Sequence, residues 1–211
     1  MPDPEHRTPI TEHRSPLILA SSSPRRAEIL RTLGIPFQVD HADVDEVLVD
    51  GESAEAAAGR LADAKAAEVA RRHPGRWILA ADTLVSCRGA ILGKPRDDED
   101  ARRMLRILSG RRHRVVTGVR LCRDEIPGSG LVEQSRVGIA PLSEEEIDWY
   151  VATGEPRDKA GAYAVQGLGS RFIETVEGSF TNVMGLPARA VYLLMKDAGD
   201  SALGLLALSS P

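Results

Sequence analysis

Aromatic side chains are scarce: Phe, Trp and Tyr together make up 4% of the 211 residues. Hydrophobic residues still reach 42%, so a core can form, and Leu, Val, Ile and Ala have to fill it. Cysteine is scarcer still. Cys87 and Cys122 are the only two; neither belongs to a CxxC pair and no metal-ligand cluster surrounds either. They read as free thiols, which suits a reducing compartment. No apolar run approaches the roughly 18 residues that span a bilayer, so no membrane partner is expected. A basic excess is missing as well. The 27 Lys and Arg against 31 Asp and Glu leave a net charge of -4, which argues against the coating of nucleic acid. Residues 1–15 are polar, carry three prolines in their first nine positions and hold no signal-peptide core. They are expected to be a disordered tail, with a domain over 16–199 and a short C-terminal tail over 200–211. The location expected from these absences is cytoplasmic.

The positive charge that is present is local: Arg25-Arg26, Arg102-Arg103 and Arg111-Arg112. A local cationic cluster on a mildly acidic chain suits a small anionic ligand better than a polyanion. Periodicity places a short buried strand at 17–20, followed by a Ser-rich turn. A helix follows, with Ser23 as its N-cap, Pro24 at its first position and Gly34 as its stop. A second strand is expected over 36–44. An Ala-rich helix is expected over 53–72, closed by His73-Pro74-Gly75. A central strand over 77–81 is expected to end on Asp82-Thr83. Residues 85–92 read as a hairpin turning at Arg88-Gly89. The pattern continues with a helix over 97–108, strands over 112–122 and 131–139, and a capping-box helix from Ser143 to Thr153. A Gly-rich, loop-like stretch over 159–187 precedes a closing helix over 188–198. Strands alternating with helices imply an α/β architecture around a mixed sheet, its middle part antiparallel.

Several residues have the right types for phosphate chemistry. A helix N-terminus after Ser21-Ser22-Ser23 offers free N–H groups and a partial positive charge, while Arg25 and Arg26 match phosphate oxygens bidentately. A plain cap with solvated arginines is the competing reading, and both stand. Asp82 after a central strand would hold a divalent ion or orient water, or it would simply form a turn. Lys94, held between Gly93 and Pro95, is a point charge for a phosphate or a surface lysine. Lys65 is most simply a solvated helix charge. Asp43, Asp45 and Glu46 form a small acidic cluster, a metal partner or a polar loop. Gln166 would read the edge of a base, and Tyr163 is expected to pack in the core. The turn from Asn182 to Pro187 opens a helix whose start is either a second anion-favouring N-terminus or a plain structural turn.

The order of these segments is more specific than any one of them. It runs from Leu19-Ala20-Ser21-x-Ser23-Pro24-Arg25-Arg26 through Ala81-Asp82-Thr83 and Gly93-Lys94-Pro95. It continues through Leu108-Ser109-Gly110 with His113 and Thr117, then Asp158-Lys159-Ala160-Gly161-Ala162-Tyr163 with Gln166-Gly167, and ends at Gly185-Leu186-Pro187. This series resembles the Maf family over residues 17–196. The resemblance implies a two-lobed α/β fold with an elongated mixed sheet and a cleft between lobes, similar to the inosine triphosphate pyrophosphatase group. It implies hydrolysis of a nucleoside triphosphate to monophosphate and pyrophosphate with Mg²⁺ or Mn²⁺.

Residue by residue, the family's Ser-x-Ser-Pro-Arg-Arg segment falls on Ser21, Ser23, Arg25 and Arg26. Its catalytic Asp falls on Asp82 and its two active-site lysines on Lys65 and Lys94. Its acidic residue after the second strand, a metal partner with Asp82, falls on Glu46, with Asp45 beside it. The family's dTTP/UTP branch resembles this chain at Arg25, Thr83 and Gln166, whereas a branch preferring 7-methyl-GTP differs at Thr83. A pyrimidine triphosphate is therefore the implied substrate, with CTP and modified uridine nucleotides as further candidates and a homodimer as the implied assembly. Two other classes remain open. One is a nucleotide-sensing protein of septum formation that does not turn its ligand over. The other is a nucleotidyltransferase, which would need an acceptor-sugar site that no segment obviously supplies.

Overall fold

In the computed structural model of the chain, the described residues are 17–124 and 126–199. The two expected tails, 1–15 and 200–211, lie outside them. The first half of the chain gives β1 (Leu17–Leu19), α1 (Pro24–Thr32), β2 (Phe37–Val39), α2 (Ala54–Ala70), β3 (Trp77–Cys87), β4 (Ala90–Leu92) and α3 (Asp98–Leu108). The second half gives β5 (Arg112–Arg123), β6 (Ile126–Ile139), α4 (Glu144–Ala152), β7 (Ile173–Glu177), α5 (Phe180–Val183) and α6 (Ala188–Asp197). The seven strands form one sheet in the order β2-β1-β3-β5-β6-β7, with β4 paired to β3 beside that path. β1 is parallel to β2 and to β3, and every other pairing is antiparallel. The mixed α/β sheet expected from the sequence is what forms.

The expected strand end at Asp82-Thr83 is overturned. β3 runs on to Cys87, because the antiparallel β5 pairs with it from Trp77↔Arg123 to Ser86↔Arg114. What ends at that level is the neighbour on the other side. β1 leaves after Leu19↔Leu79, and β4 joins only at Val85↔Leu92. Residues 80–84 of β3 therefore face no strand on that edge, and Asp82 and Thr83 sit in the gap.

The two faces of β3 are covered differently. Ile78 and Ala80 pack with Ile18 and Ala20 against Ala66 and Val69 of α2. Further along, Leu84 and Val116 pack against Ala54, Ala57 and Ala58 of the same helix. Strand alternation puts Asp82 on this face. On the opposite face the cover is split. Leu79 and Ala81 join Leu30 of α1 and Val191 and Met195 of α6. Val85 and Cys87 join Leu105 and Leu108 of α3 and Tyr150 of α4. Thr83 falls between these two cores, where the cleft opens.

Local chemistry explains most element ends. Ser53, Asp97 and Ser143 accept N–H bonds as N-caps, and Ser143 with Glu146 closes the full capping box. Arg88 (φ 50°) and Gly89 (φ 82°) form the two-residue turn of the expected hairpin. Ser23 holds the N-cap position of α1, yet its side chain makes no capping bond; its N–H donates to Ser21 Oγ at 3.2 Å instead. β2 stops at Val39 rather than 44, because β1 offers only three residues to pair with. β6 starts at Ile126 rather than 131, on a stretch whose Pro127, Gly128 and Gly130 weaken any strand signal. The stretch 159–187 is more structured than expected, with β7 and α5 inside it.

α2 lies directly on the backbone of β5. A Cβ on Gly118 would stand 2.2 Å from the Ala58 carbonyl oxygen and 2.7 Å from the Gly59 nitrogen. Gly118→Ala must push the helix off the sheet and is predicted to lower the unfolding free energy by about 3 kcal/mol. A urea midpoint unchanged from that of the parent chain would contradict this packing.

Candidate functional site

The gap beside β3 is filled from three directions. The turn after β1 brings Ser21, Ser22 and Ser23 to the N-terminus of α1, whose first N–H groups have no helical acceptor. Arg26, only 9% exposed, is fixed by three bonds: Nε donates to Gly185 O (2.8 Å), Nη1 to Ser21 Oγ (2.9 Å) and Nη2 to Thr83 Oγ1 (3.1 Å). It ties α1, β3 and the turn before α6 together at the split between the two cores. Burial lowers its pKa, against the opposing pull of the nearby Asp82 charge; a guanidinium is not deprotonated in a protein, so it stays charged. Thr83 Oγ1 continues the network to Thr117 Oγ1 at 3.0 Å. Arg25 reaches across the mouth of the cleft to the Asp158 carboxylate at 3.4 Å.

On the α2 face one ammonium holds two carboxylates. Lys65 Nζ contacts Asp82 Oδ1 and donates to Glu46 Oε1 at 2.6 Å. Lys65 is 8% exposed and Asp82 4%, so the reading of Lys65 as a solvated helix charge is overturned. The stripe that α2 buries is Ala54, Ala57, Ala58, Leu61, Ala62, Lys65, Ala66 and Val69, and Lys65 is its single charged member. A lysine at a core position of a helix is the signal that marks it. Lys94 Nζ stands 3.5 Å from the other oxygen of Glu46. Burial raises the Glu46 pKa, but the bonds and charges of Lys65 and Lys94 outweigh it and hold the carboxyl below its ordinary value. Asp82 Oδ2 has no protein partner among the described residues, and Asp82 lines the cleft.

The residues to which the resemblance assigns a role line this one cleft: Ser21, Ser23, Arg25 and Arg26 from the turn and α1, Glu46, Lys65 and Asp82 around the ammonium with Lys94 beside Glu46, and Thr83 and Gln166. Other expectations do not arrive here. Arg102 and Arg103 pair with Asp148 and Asp100, and Arg111 binds the carbonyls at the end of α3, so these clusters serve the fold. Of the acidic trio only Glu46 reaches the cleft; Asp43 and Asp45 are exposed in the loop. Tyr163 is buried as expected, and its hydroxyl meets His113 Nε2 at 2.7 Å. Burial holds His113 down at about 4, so the imidazole is neutral. His41 and Lys159 also line the cleft; His41 carries no sequence signal that would have marked it.

The charge of the lining is informative. Arg25, Arg26, Lys65, Lys94 and Lys159 face Glu46, Asp82 and Asp158, a surplus of two positive charges. A nucleoside triphosphate carries about four negative charges, so the cleft leaves about two uncompensated, the charge of one divalent ion. Among the described residues no group of three or more His, Cys, Asp or Glu gathers to hold a metal alone. Asp82 and Glu46 supply two carboxylates. That donor set fits an Mg²⁺-type ion, which takes one or two carboxylates and completes its shell with phosphates and water.

The family model for Maf-like proteins matches residues 16–198. The chain belongs to the Maf family. Among curated relatives, the "dTTP/UTP pyrophosphatase" of Myxococcus xanthus (strain DK1622) is 53% identical over 184 residues, covering 87% of this chain and 92% of that one. The protein of the same name from Anaeromyxobacter sp. (strain Fw109-5) is 51% identical over 189 residues, covering 87% and 89%. Among solved structures, a HAM1 protein from Coxiella burnetii overlays with a TM-score of 0.41 at 19% identity, covering 71% of this chain and 87% of that one. An overlay that loose leaves the site of this Maf-family chain to be read from its own residues. No helix among the described residues is long and apolar enough to cross a membrane.

In this Maf-family site one ammonium offsets the charge of two carboxylates. Lys65→Met leaves two carboxylates facing each other, one of them buried, and is predicted to cost about 3 kcal/mol of stability at neutral pH. A melting temperature equal to that of the parent would show that Lys65 neutralises nothing.

Proposed function

We propose that the chain hydrolyses nucleoside triphosphates, dTTP and UTP foremost, between the α- and β-phosphates, releasing nucleoside monophosphate and pyrophosphate. The observation that carries this reading is the convergence of Asp82, Glu46 and five cations on one cleft, in a chain 53% identical to a relative named for that activity. A site that merely sensed the nucleotide would not need a buried carboxylate aimed among the phosphate-binding cations.

The proposed division of labour follows from position. The N–H groups at the start of α1, with Arg25 and Arg26, bind the phosphate chain. Arg26 is preorganised by its three bonds and spends no rotamer freedom on binding. Lys94 and Lys65 balance charge that builds on the departing pyrophosphate, as phosphoryl transfer demands. Asp82 has one oxygen engaged by Lys65 and the other without a partner among the described residues, so it positions a water and takes up its proton. A divalent cation held by Asp82 and Glu46 together with the phosphates would supply further charge neutralisation. Arg25, Thr83 and Gln166 are the side chains proposed to select the base. Promiscuity toward CTP or modified uridine nucleotides is compatible with a base site made of so few polar groups.

The test is direct. Purified protein with Mg²⁺ or Mn²⁺ is expected to release equal amounts of pyrophosphate and monophosphate from dTTP or UTP. Asp82→Asn is expected to lower kcat by about 10²–10⁴-fold. Nucleotide binding without turnover by the parent chain would favour the sensing reading instead, and near-normal turnover by Asp82→Asn would remove Asp82 from its role.

A further inference from the structure

The segment that carries Gln166 is built on a single carboxylate outside the cleft. Glu155 Oε1 accepts from the Tyr150 hydroxyl at 2.8 Å and from the Gly169 N–H at 3.0 Å, and Oε2 accepts from the Leu168 N–H at 2.9 Å. The Tyr150 oxygen in turn accepts from the Ala164 N–H at 3.0 Å. Gln166 lies between these anchors, 164 on one side and 168–169 on the other. Its side chain is exposed and lines the cleft.

Two glycines permit the close approach. A Cβ on Gly167 would stand 2.3 Å from the Glu155 carboxylate, and one on Gly169 would stand 2.5 Å from the Tyr150 hydroxyl. The pair itself is well seated. Tyr150 is fully buried and packs edge-on against Phe172 with ring centroids 5.4 Å apart. The Glu155 carbonyl accepts from Lys159 Nζ at 2.6 Å, and Lys159 holds Asp158, the partner of Arg25.

These bonds fix the backbone on both sides of Gln166. A base is selected by hydrogen bonds only when the reading group stands still: a site built to bond one edge rejects another because its polar groups would be left unpaired. Gln166 has a long, flexible side chain, so its backbone must be fixed for its amide to keep a place. We propose that Glu155 and Tyr150 form a specificity-setting clasp, positioning residues that act through Gln166 and hold its amide against the Watson–Crick edge of the pyrimidine. This rests on the reading of Gln166 as the base contact. Neither member of the clasp needs to touch substrate. Burial and the bond to Glu155 push the Tyr150 hydroxyl's pKa up, so it remains a donor at neutral pH. Glu155 keeps its charge, because the N–H donors of Gly169 and Leu168 outweigh its partial burial.

The experiment measures kcat and KM for dTTP, CTP and methyl triphosphate, a probe without a base. The chains are the parent, Gln166→Ala, Glu155→Gln, Tyr150→Phe and the double variant Glu155→Gln/Gln166→Ala, with a melting curve for each. Tyr150→Phe keeps the ring and loses one oxygen. It serves where Glu155→Gln melts below the assay temperature. Gln166→Ala is expected to reduce the preference for dTTP over CTP about tenfold. Glu155→Gln is expected to do the same, chiefly by raising KM for dTTP, with a clearly smaller loss on methyl triphosphate. In the Gln166→Ala background, Glu155→Gln should change the preference by less than about twofold, since the two act through one contact. Equal losses on all three substrates at unchanged preference would reduce the clasp to a structural brace and overturn the proposal. An altered preference in Gln166→Ala with none in Glu155→Gln or Tyr150→Phe would overturn the clasp alone. An unaltered preference in Gln166→Ala would overturn the base contact and the clasp with it.

Discussion

The ammonium of Lys65 between Asp82 and Glu46 is the contact on which the site depends. Two carboxylates gathered in a half-buried cleft repel each other and resist desolvation, and one internal cation makes their convergence tolerable. That cation comes from α2, whose remaining inward residues are apolar and mostly alanine. The helix must therefore lie close against β3 and β5 for Lys65 to reach, and the absence of a side chain at Gly118 lets it do so. Packing, charge and the placing of the reactive carboxylate are linked through a single helix.

The sheet explains why the cleft is where it is. β1 is short and β4 joins β3 late, so the edge of β3 is bare over the residues that include Asp82 and Thr83. The opposite face is covered by two separate sets of helices, and the seam between their cores falls at Thr83. Arg26 sits at that seam, bonded to Thr83 and to the Gly185 carbonyl, while Arg25 and Asp158 meet across the mouth of the cleft. The chain thus brings a helix N-terminus, a central carboxylate and a Gln-bearing loop from three distant segments to one anion-sized opening.

How much of this could be read beforehand depended on how local the signal was. The helices α2, α3 and α4 carry their own caps, and the β3–β4 turn carries Arg88-Gly89, so these elements were legible. β7 was not, since Glu174, Thr175 and Glu177 give an edge strand little apolar alternation and its pairing with β6 is a long-range choice. Asp82 ends no strand, so its place in the cleft has another cause: β3 runs past it, and the gap beside it comes from where β1 stops. The charge of Lys65 suggests a solvated residue, whereas its place in the buried stripe of α2 marks a core position. Residues such as Ser21, Lys94 and Gln166 have ordinary alternatives taken one at a time. Only their order along the chain, the order that resembles the Maf family, joined them before the fold did. The bonds of the Glu155 carboxylate are not legible in the sequence, because two of its three partners are main-chain N–H groups, which leave no mark there.

The central claim is that water attacks the α-phosphorus with pyrophosphate leaving. Hydrolysis of dTTP in ¹⁸O-labelled water, with products resolved by mass spectrometry, tests it most directly. The account predicts one labelled oxygen in the thymidine monophosphate and none in the pyrophosphate. Label in pyrophosphate, or release of labelled inorganic phosphate as the first product, would place the attack at another phosphorus and contradict the account.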